Sequence, residues 1–189
     1  MVISEKDVKI EQMVEKEDIK ELKQLNEAVI LIFEITSEKC LYGPSNQGHC
    51  DLPKLAAKAE KVARHLANAR MHSQRMMNLT KKIMNDLKGI RSPKAKRIKP
   101  LLTKKEGEVI ARCFTLNHWL DEARKIVEQV KVHIANLYSP AIFLPSVMCK
   151  LVASDSNRAH QLITNIIANM RELYSMEKQI EHILKEAEE

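Results

Sequence analysis

Between residues 52 and 90, apolar and small side chains recur at alternating intervals of three and four without a slip. The series is Leu52, Leu55, Ala59, Val62, Leu66, Ala69, Ser73, Met76, Thr80, Ile83, Leu87 and Ile90. An α-helix turns once every ~3.6 residues, so a helix lays this series along one stripe, the seam of a coiled coil. A strand would scatter the same residues over both faces. Ala59, Ala69, Ser73 and Thr80 are small or polar. Such a seam allows close approach but buries little area at each position, so the helix needs more than one neighbour.

A second seam runs through Val109, Cys113, Leu116, Leu120, Ala123, Val127, Val130, Ile134 and Leu137. Thr103-Lys104-Lys105-Glu106 has the spacing of a capping box and predicts the start of that helix. Ser139-Pro140 predicts its end, because a residue before proline avoids the helical region. From about Pro145 to Ala187 a further stripe carries Leu162, Ile166, Leu173, Met176, Ile180, Ile183 and Ala187. Ile163, Ile167, Met170 and Tyr174 widen it, Asn169 interrupts it, and the capping residues Ser154 to Asn157 predict a bend or restart. The first element, about Ser4 to Lys39, places Leu22, Leu25, Val29 and Ile32 at coiled-coil spacing. Its dense apolar run Ala28–Phe33 implies burial on more than one side.

The expected fold is all-α: four long helices with heptad seams, forming antiparallel helical hairpins or an elongated coiled-coil bundle. An acidic N-terminal helix (1–39) leads through a hairpin loop (40–53) to a basic heptad helix (54–88). A basic, proline-containing linker (89–102), a heptad helix (103–138), a proline-bounded break (139–145) and a C-terminal helix (146–189) follow. The seam residues expected at helix interfaces are Leu55, Val62, Leu66, Met76, Ile83 and Leu87 in the second helix. In the third they are Val109, Leu116, Leu120, Val127, Val130, Ile134 and Leu137. In the fourth they are Leu162, Ile166, Leu173, Met176, Ile180 and Ile183.

Only 4% of the residues are aromatic and four are glycine, fewer of both than a compact enzyme or β-sandwich usually needs. The longest apolar run is far short of the ~20 residues that span a bilayer, and Met1 to Asp7 lacks a signal-peptide layout. No membrane association is expected, and the protein reads as cytoplasmic. Cys40, Cys50, Cys113 and Cys149 show no C-x-x-C spacing, which predicts reduced thiols.

Charge is unevenly spread. Residues 1–38 carry five Lys against ten acids, residues 39–105 seventeen Lys or Arg against three acids, and residues 106–189 nine against twelve. The basic middle predicts either pairing with the acidic helices or contact with an anionic partner. The candidate contacts are Arg91, Lys94, Lys96, Arg97, Lys99, Lys104 and Lys105. Ser92-Pro93 followed by basic residues has the form of a proline-directed kinase target, making Ser92 a candidate phosphosite.

Nothing in the chain predicts catalysis or a cofactor. Cys40, His49 and Cys50 share one loop but lack a fourth ligand and the spacing of a zinc site. Cys113, near His118, lies on an apolar seam and reads as a small hydrophobe. No glycine-rich phosphate loop occurs, so no small-molecule substrate is expected. Phe114 and Trp119 are lone aromatics without the basic interleaving of a single-strand binder, which argues against nucleic acid.

The stretch RIKPLL (97–102), a short polar gap, and GEVIARCFTLNHWLDEARKIVEQVKVHIANLYS (107–139), followed by a Met- and Leu-rich helix, resembles the second-subunit type of the augmin complex. The likeness covers residues 91 to 189 and rests on element lengths and the Lys99-Pro100 break. It implies a non-catalytic coiled-coil subunit of a hetero-oligomer that recruits γ-tubulin complexes to microtubules in the mitotic spindle, located at spindle and centrosome. The alternatives are a subunit of another coiled-coil assembly, such as a kinetochore or vesicle-tethering complex, and a self-contained helical-bundle adaptor of the vinculin or spectrin kind.

Overall fold

A computed structural model describes residues 5–42, 50–89, 93–138 and 145–188, apart from the side chains at 94, 95 and 188. The chain is all-α: α1 (Glu5–Thr36), a 3-10 turn (Lys39–Leu41), α2 (Leu52–Lys88), α3 (Pro93–Leu137) and α4 (Pro145–Glu188). The described residues include no strand. The helices are divided between two compact units. The first contains Met1–Leu22, Arg70–His118 and Ala168–Glu189; the second contains Lys23–Ala69 and Trp119–Ile167.

In the second unit each helix segment has two neighbours, and all neighbours are antiparallel. Lys58 Nζ lies 3.2 Å from Glu34 and 3.6 Å from Glu38, joining α2 to α1. Lys131 lies 2.8 Å from Glu60, joining α3 to α2, and His133 Nε2 lies 3.2 Å from Asp155, joining α4 to α3. The Phe33 and His160 rings, 5.5 Å apart, close the circuit between α1 and α4. Inside are Leu25, Ala28, Ile32 and Ile35 of α1, Leu55 to Ala69 of the α2 seam, Leu120 to Ile134 of α3, and Val152, Ala159, Ile163 and Ile166 of α4. This core is almost wholly apolar.

The first unit repeats that order. His72 meets Glu17 at 2.6 Å, the Ser73 hydroxyl donates to Asn117 Oδ1, Arg112 reaches Glu172, and Gln12 donates to Glu181. Buried Ser73 and Asn117 satisfy each other, so this polar position of the seam pins the register of α2 against α3. Thr80 turns its hydroxyl back to the Met76 carbonyl at 3.0 Å.

Helix starts follow local chemistry. Asp51 caps α2 by accepting the Lys54 backbone N–H at 3.1 Å. Pro93 and Pro145 are the first residues of α3 and α4, where the missing N–H costs nothing. The basic linker is therefore far shorter than expected, because Pro93 opens a helix and α3 runs through Pro100. Thr103 and Glu106 lie inside that helix, so no capping box forms, and Glu106 is fully buried. Lys99 reaches back to the Lys88 carbonyl at 3.3 Å, placing a cation at the C-terminus of α2.

Other expectations also shift. α4 continues through Ser154–Asn157, since Asp155 finds His133 and Arg158 and Ser156 occupies the seam. The run Ala28–Phe33 is not buried all round: Ile30 is 58% exposed and Phe33 55%. Seam geometry admits only Ala28 and Ile32. Cys40 and Cys50 form a disulfide with Cα atoms 5.2 Å apart, while Cys113 and Cys149 are buried free thiols. The expected set of four reduced thiols is thereby corrected. Antiparallel pairing of α1 with α2 draws the two ends of their connection together, which spacing along the chain cannot reveal.

Two outcomes follow. Denatured but unreduced protein is expected to titrate two thiols with a thiol reagent, and all four after reduction. Pro100→Ala is expected to stabilise the protein by about 1–3 kcal/mol in urea unfolding, because it restores a donor to the Lys96 carbonyl and removes a ring clash.

Candidate functional site

In the first unit the seam of α1 is built largely from carboxyl groups. Along α1, positions 7, 11, 14, 18 and 21 keep the alternation of four and three, and they hold Asp7, Glu11, Val14, Asp18 and Glu21. All five are buried, with Glu15 beside them. α3 adds Glu106, and α4 adds Glu177 and Glu181. Relative exposure is 0% at Glu21, Glu106 and Glu177 and 1% at Glu11. Both carboxyl oxygens of Glu11, Glu21 and Glu106 lack a hydrogen-bond partner among the described residues.

Cations reach only parts of this cluster. Lys178 lies 2.9 Å from Glu15 and 3.2 Å from Glu181, and Lys185 also reaches Glu181. Both lysines approach from the exposed side of α4. Arg70 of α2 acts on Glu21 through its charge. Gln12 donates to Glu181 at 3.3 Å, and His72 serves Glu17.

Burial dominates the protonation chemistry. It raises Glu11, with Glu106, Glu15 and Glu181 adding repulsion. It raises Glu21, where Asp18 opposes ionisation and Arg70 favours it. It raises Glu177, again with Asp18 adding repulsion. Burial pushes Asp18 up to about 7 and Glu106 up to about 8. Glu15 and Glu181 share a hydrogen bond; burial raises Glu15, while the hydrogen bond from Glu15 and the lysines lower Glu181 to about 2. Burial thus favours the protonated form across this cluster, while the hydrogen bonds at Glu181 favour its ionised form.

The energetic balance explains why protons stay. Burying Val8, Ile10 and Val14 contributes about 1.5–3 kcal/mol each. Burying one ionised carboxylate costs several kcal/mol unless it is paired. Ionising the whole cluster would outweigh the apolar contribution of this part of α1.

The basic residues face the other way. Lys96, Arg97 and Lys104 are exposed on the first turns of α3, and Lys81, Lys82 and Lys88 are exposed on α2. Lys99 and Lys105 are half-buried, and Lys105 donates to Gln179 at 2.9 Å. Among the described residues none of these eight is ion-paired with a carboxylate. Basic α2 meets acidic α1 through Lys58 and His65 in the second unit and through His72 and the charge of Arg70 in the first. Arg91, Ser92 and the Lys94 side chain lie outside the described residues, as does His49.

The remaining sites can be placed directly. Cys113 is fully buried, and burial with the neighbouring acids pushes its thiol upward, away from nucleophilic character. Phe114 is 73% exposed on the outer face of α3. No group of metal-ligating side chains capable of holding an ion occurs among the described residues. Of the seam residues expected at interfaces, those of α2 and α3 are buried except Leu137, which is half-buried. In α4 the buried line passes through Ile163, Met170, Glu177 and Leu184, leaving Leu162, Met176 and Ile183 half-buried at its edge.

The expected α1 line through Leu22, Leu25, Val29 and Ile32 differs from the buried one, which passes through Glu21 and Ala28 and leaves Leu22 and Val29 half-buried, so the acid positions carry no apolar signal. Extending 35, 32, 28, 25 backwards gives 21, 18, 14, 11 and 7, so the signal was present in the spacing. No protein-family model matches the chain, and comparison with curated proteins and with solved structures finds no match.

Glu106→Leu is expected to stabilise the protein by about 1–4 kcal/mol at pH 8.5. The raised carboxyl contributes stability that is full below its unfolded value and is lost as pH rises through about 8. The gain should therefore shrink towards pH 5, as read from urea midpoints across that range.

Proposed function

We propose that the chain is a non-catalytic helical-bundle protein that works by presenting its surface to other macromolecules, with the basic face of α2 and α3 as the contact for an anionic polymer or acidic protein surface. The observation that carries this reading is that, among the described residues, Lys81, Lys82, Lys88, Lys96, Arg97, Lys99, Lys104 and Lys105 have no carboxylate partner, while α1 of the same unit turns its acids inward. Unpaired surface cations raise local potential and draw anionic partners. The buried seams support the self-contained bundle over a chain that folds only with partner subunits. No helix among the described residues is long and apolar enough to cross a membrane.

The augmin-type subunit is the narrower version of this proposal, with microtubules as the acidic polymer and other coiled-coil chains as partners. The Lys99-Pro100 break on which the likeness rested lies within α3, so only the layout of long helices still favours it. The Cys40–Cys50 disulfide favours an oxidising compartment over the cytosol, where thiols are kept reduced. We therefore rank the adaptor bundle first.

Changing Lys81, Lys82, Lys96, Arg97 and Lys104 to Gln is expected to weaken binding to heparin, and to microtubules where these bind, at least tenfold. The dependence on salt should flatten at the same time. Retention that is unchanged on heparin and in microtubule co-sedimentation would overturn the basic contact. Melting as an aggregating, weakly cooperative chain would instead favour an obligate subunit.

A further inference from the structure

Helix α1 changes chemistry along its length while keeping one register. Positions 25, 28, 32 and 35 are Leu, Ala, Ile and Ile, whereas positions 7, 11, 18 and 21 of the same line are Asp, Glu, Asp and Glu. In the first unit the only buried apolar side chains from α1 are Val8, Ile10 and Val14. The surface they meet is apolar in its own right: Met76, Met77, Ile83 and Leu87 from α2, Leu116 from α3, and Leu173 from α4 are buried there.

We propose that residues 5–22 of α1 form a proton-controlled strap, docked on α2, α3 and α4 while the buried carboxyls hold their protons, and released from them when those carboxyls ionise. Two independent features point to this. Glu106 comes from α3, has no exposed surface, and has both carboxyl oxygens without a hydrogen-bond partner among the described residues. It acts on Glu11 of the strap by charge repulsion. Glu177 comes from α4, also without exposed surface, and acts on both Asp18 and Glu11.

Charged groups face the strap from three helices, and Arg171 of α4 lines one groove with Asp18 of the strap. α2 presents Arg70 towards Glu21 and His72 towards Glu17. α3 presents Glu106, with the Cys113 thiol in the same field. α4 presents Glu177 and Glu181 with Lys178 and Lys185. The cations hold the outer edge, at Glu15, Glu181 and Glu21, and leave Glu11, Asp18, Glu106 and Glu177 to repel one another once ionised. Burial pushes Asp18 up to about 7 and Glu106 up to about 8. Docking takes up protons, is most favourable in acid and is lost on the alkaline side of those values. Glu181 acts in the opposite sense: its contribution is present above the ordinary carboxylate range and falls away as pH drops to about 2.

The test is hydrogen exchange of the intact chain at pH 5.5 and 8.5, corrected for the intrinsic rate. Protection of residues 5–22 is expected to fall at least tenfold at pH 8.5, while that of residues 25–35 is kept. The triple variant Glu11→Gln, Glu106→Gln, Glu177→Gln is expected to keep both segments protected at both values. Equal protection of the strap at the two pH values would overturn the proposal, as would a triple variant that follows the parent protein. Loss of protection across the whole chain at pH 8.5 would also overturn it, since that is global unfolding. Should the triple variant not fold, trypsin cleavage of the parent protein after Lys9, Lys16 and Lys20, normalised to an unstructured peptide, decides the matter. Cleavage there must accelerate at least tenfold between pH 5.5 and 8.5, and an unchanged rate rejects the strap.

Discussion

Four helices can share a core only if each keeps its buried positions three and four residues apart along its whole length, and all four here do so. The lines run from Asp7 to Ile35 in α1, Leu55 to Leu87 in α2, Leu102 to Ile134 in α3, and Cys149 to Ala187 in α4. This periodic constraint is geometric and takes no account of polarity. A side chain at a seam position goes inside whether it is leucine or glutamate, and the remaining physics is how the chain accommodates the latter.

In the second unit the accommodation is trivial, because the seam residues are apolar and the buried polar exceptions are the adjacent Asp155 and Ser156 of α4, the former paired with His133 and Arg158. In the first unit it falls on protons. Neighbouring acids on three helices cannot all ionise out of contact with water, so burial favours their neutral forms. This also alters the charge seen from outside. The formal net charge is +6, and burial takes these acids off the surface, so the exterior exposes a larger share of the basic residues than composition implies.

Much of this was legible from spacing. The α2 series from Leu55 to Leu87 and the α3 series from Val109 to Ile134 are buried position by position, because nothing in either run competes with the apolar register. α1 and α4 were harder. Leu22 and Val29, like Leu162, Met176 and Ile183, are large apolar residues one position from the seam, and hydrophobicity alone draws the register towards them. The true lines pass through Glu21, Ala28, Glu177 and Leu184. The prolines mislead for a related reason: Pro93 and Pro100 suggest a break, yet one is a helix start and the other is carried within the helix.

The sequence by itself determined an all-helical chain of four long segments, because unbroken three-and-four spacing has no other low-energy solution. It also determined the separation of acidic and basic segments. Only the tertiary structure decided which way those charges face. α1 turns its acids inward because its seam must meet α2, α3 and α4 at once, and the basic residues of α2 and α3 fall on the solvent side of the same arrangement. The Cys40–Cys50 bridge was likewise decided by folding, since contact between two residues ten apart depends on where the helices carry them.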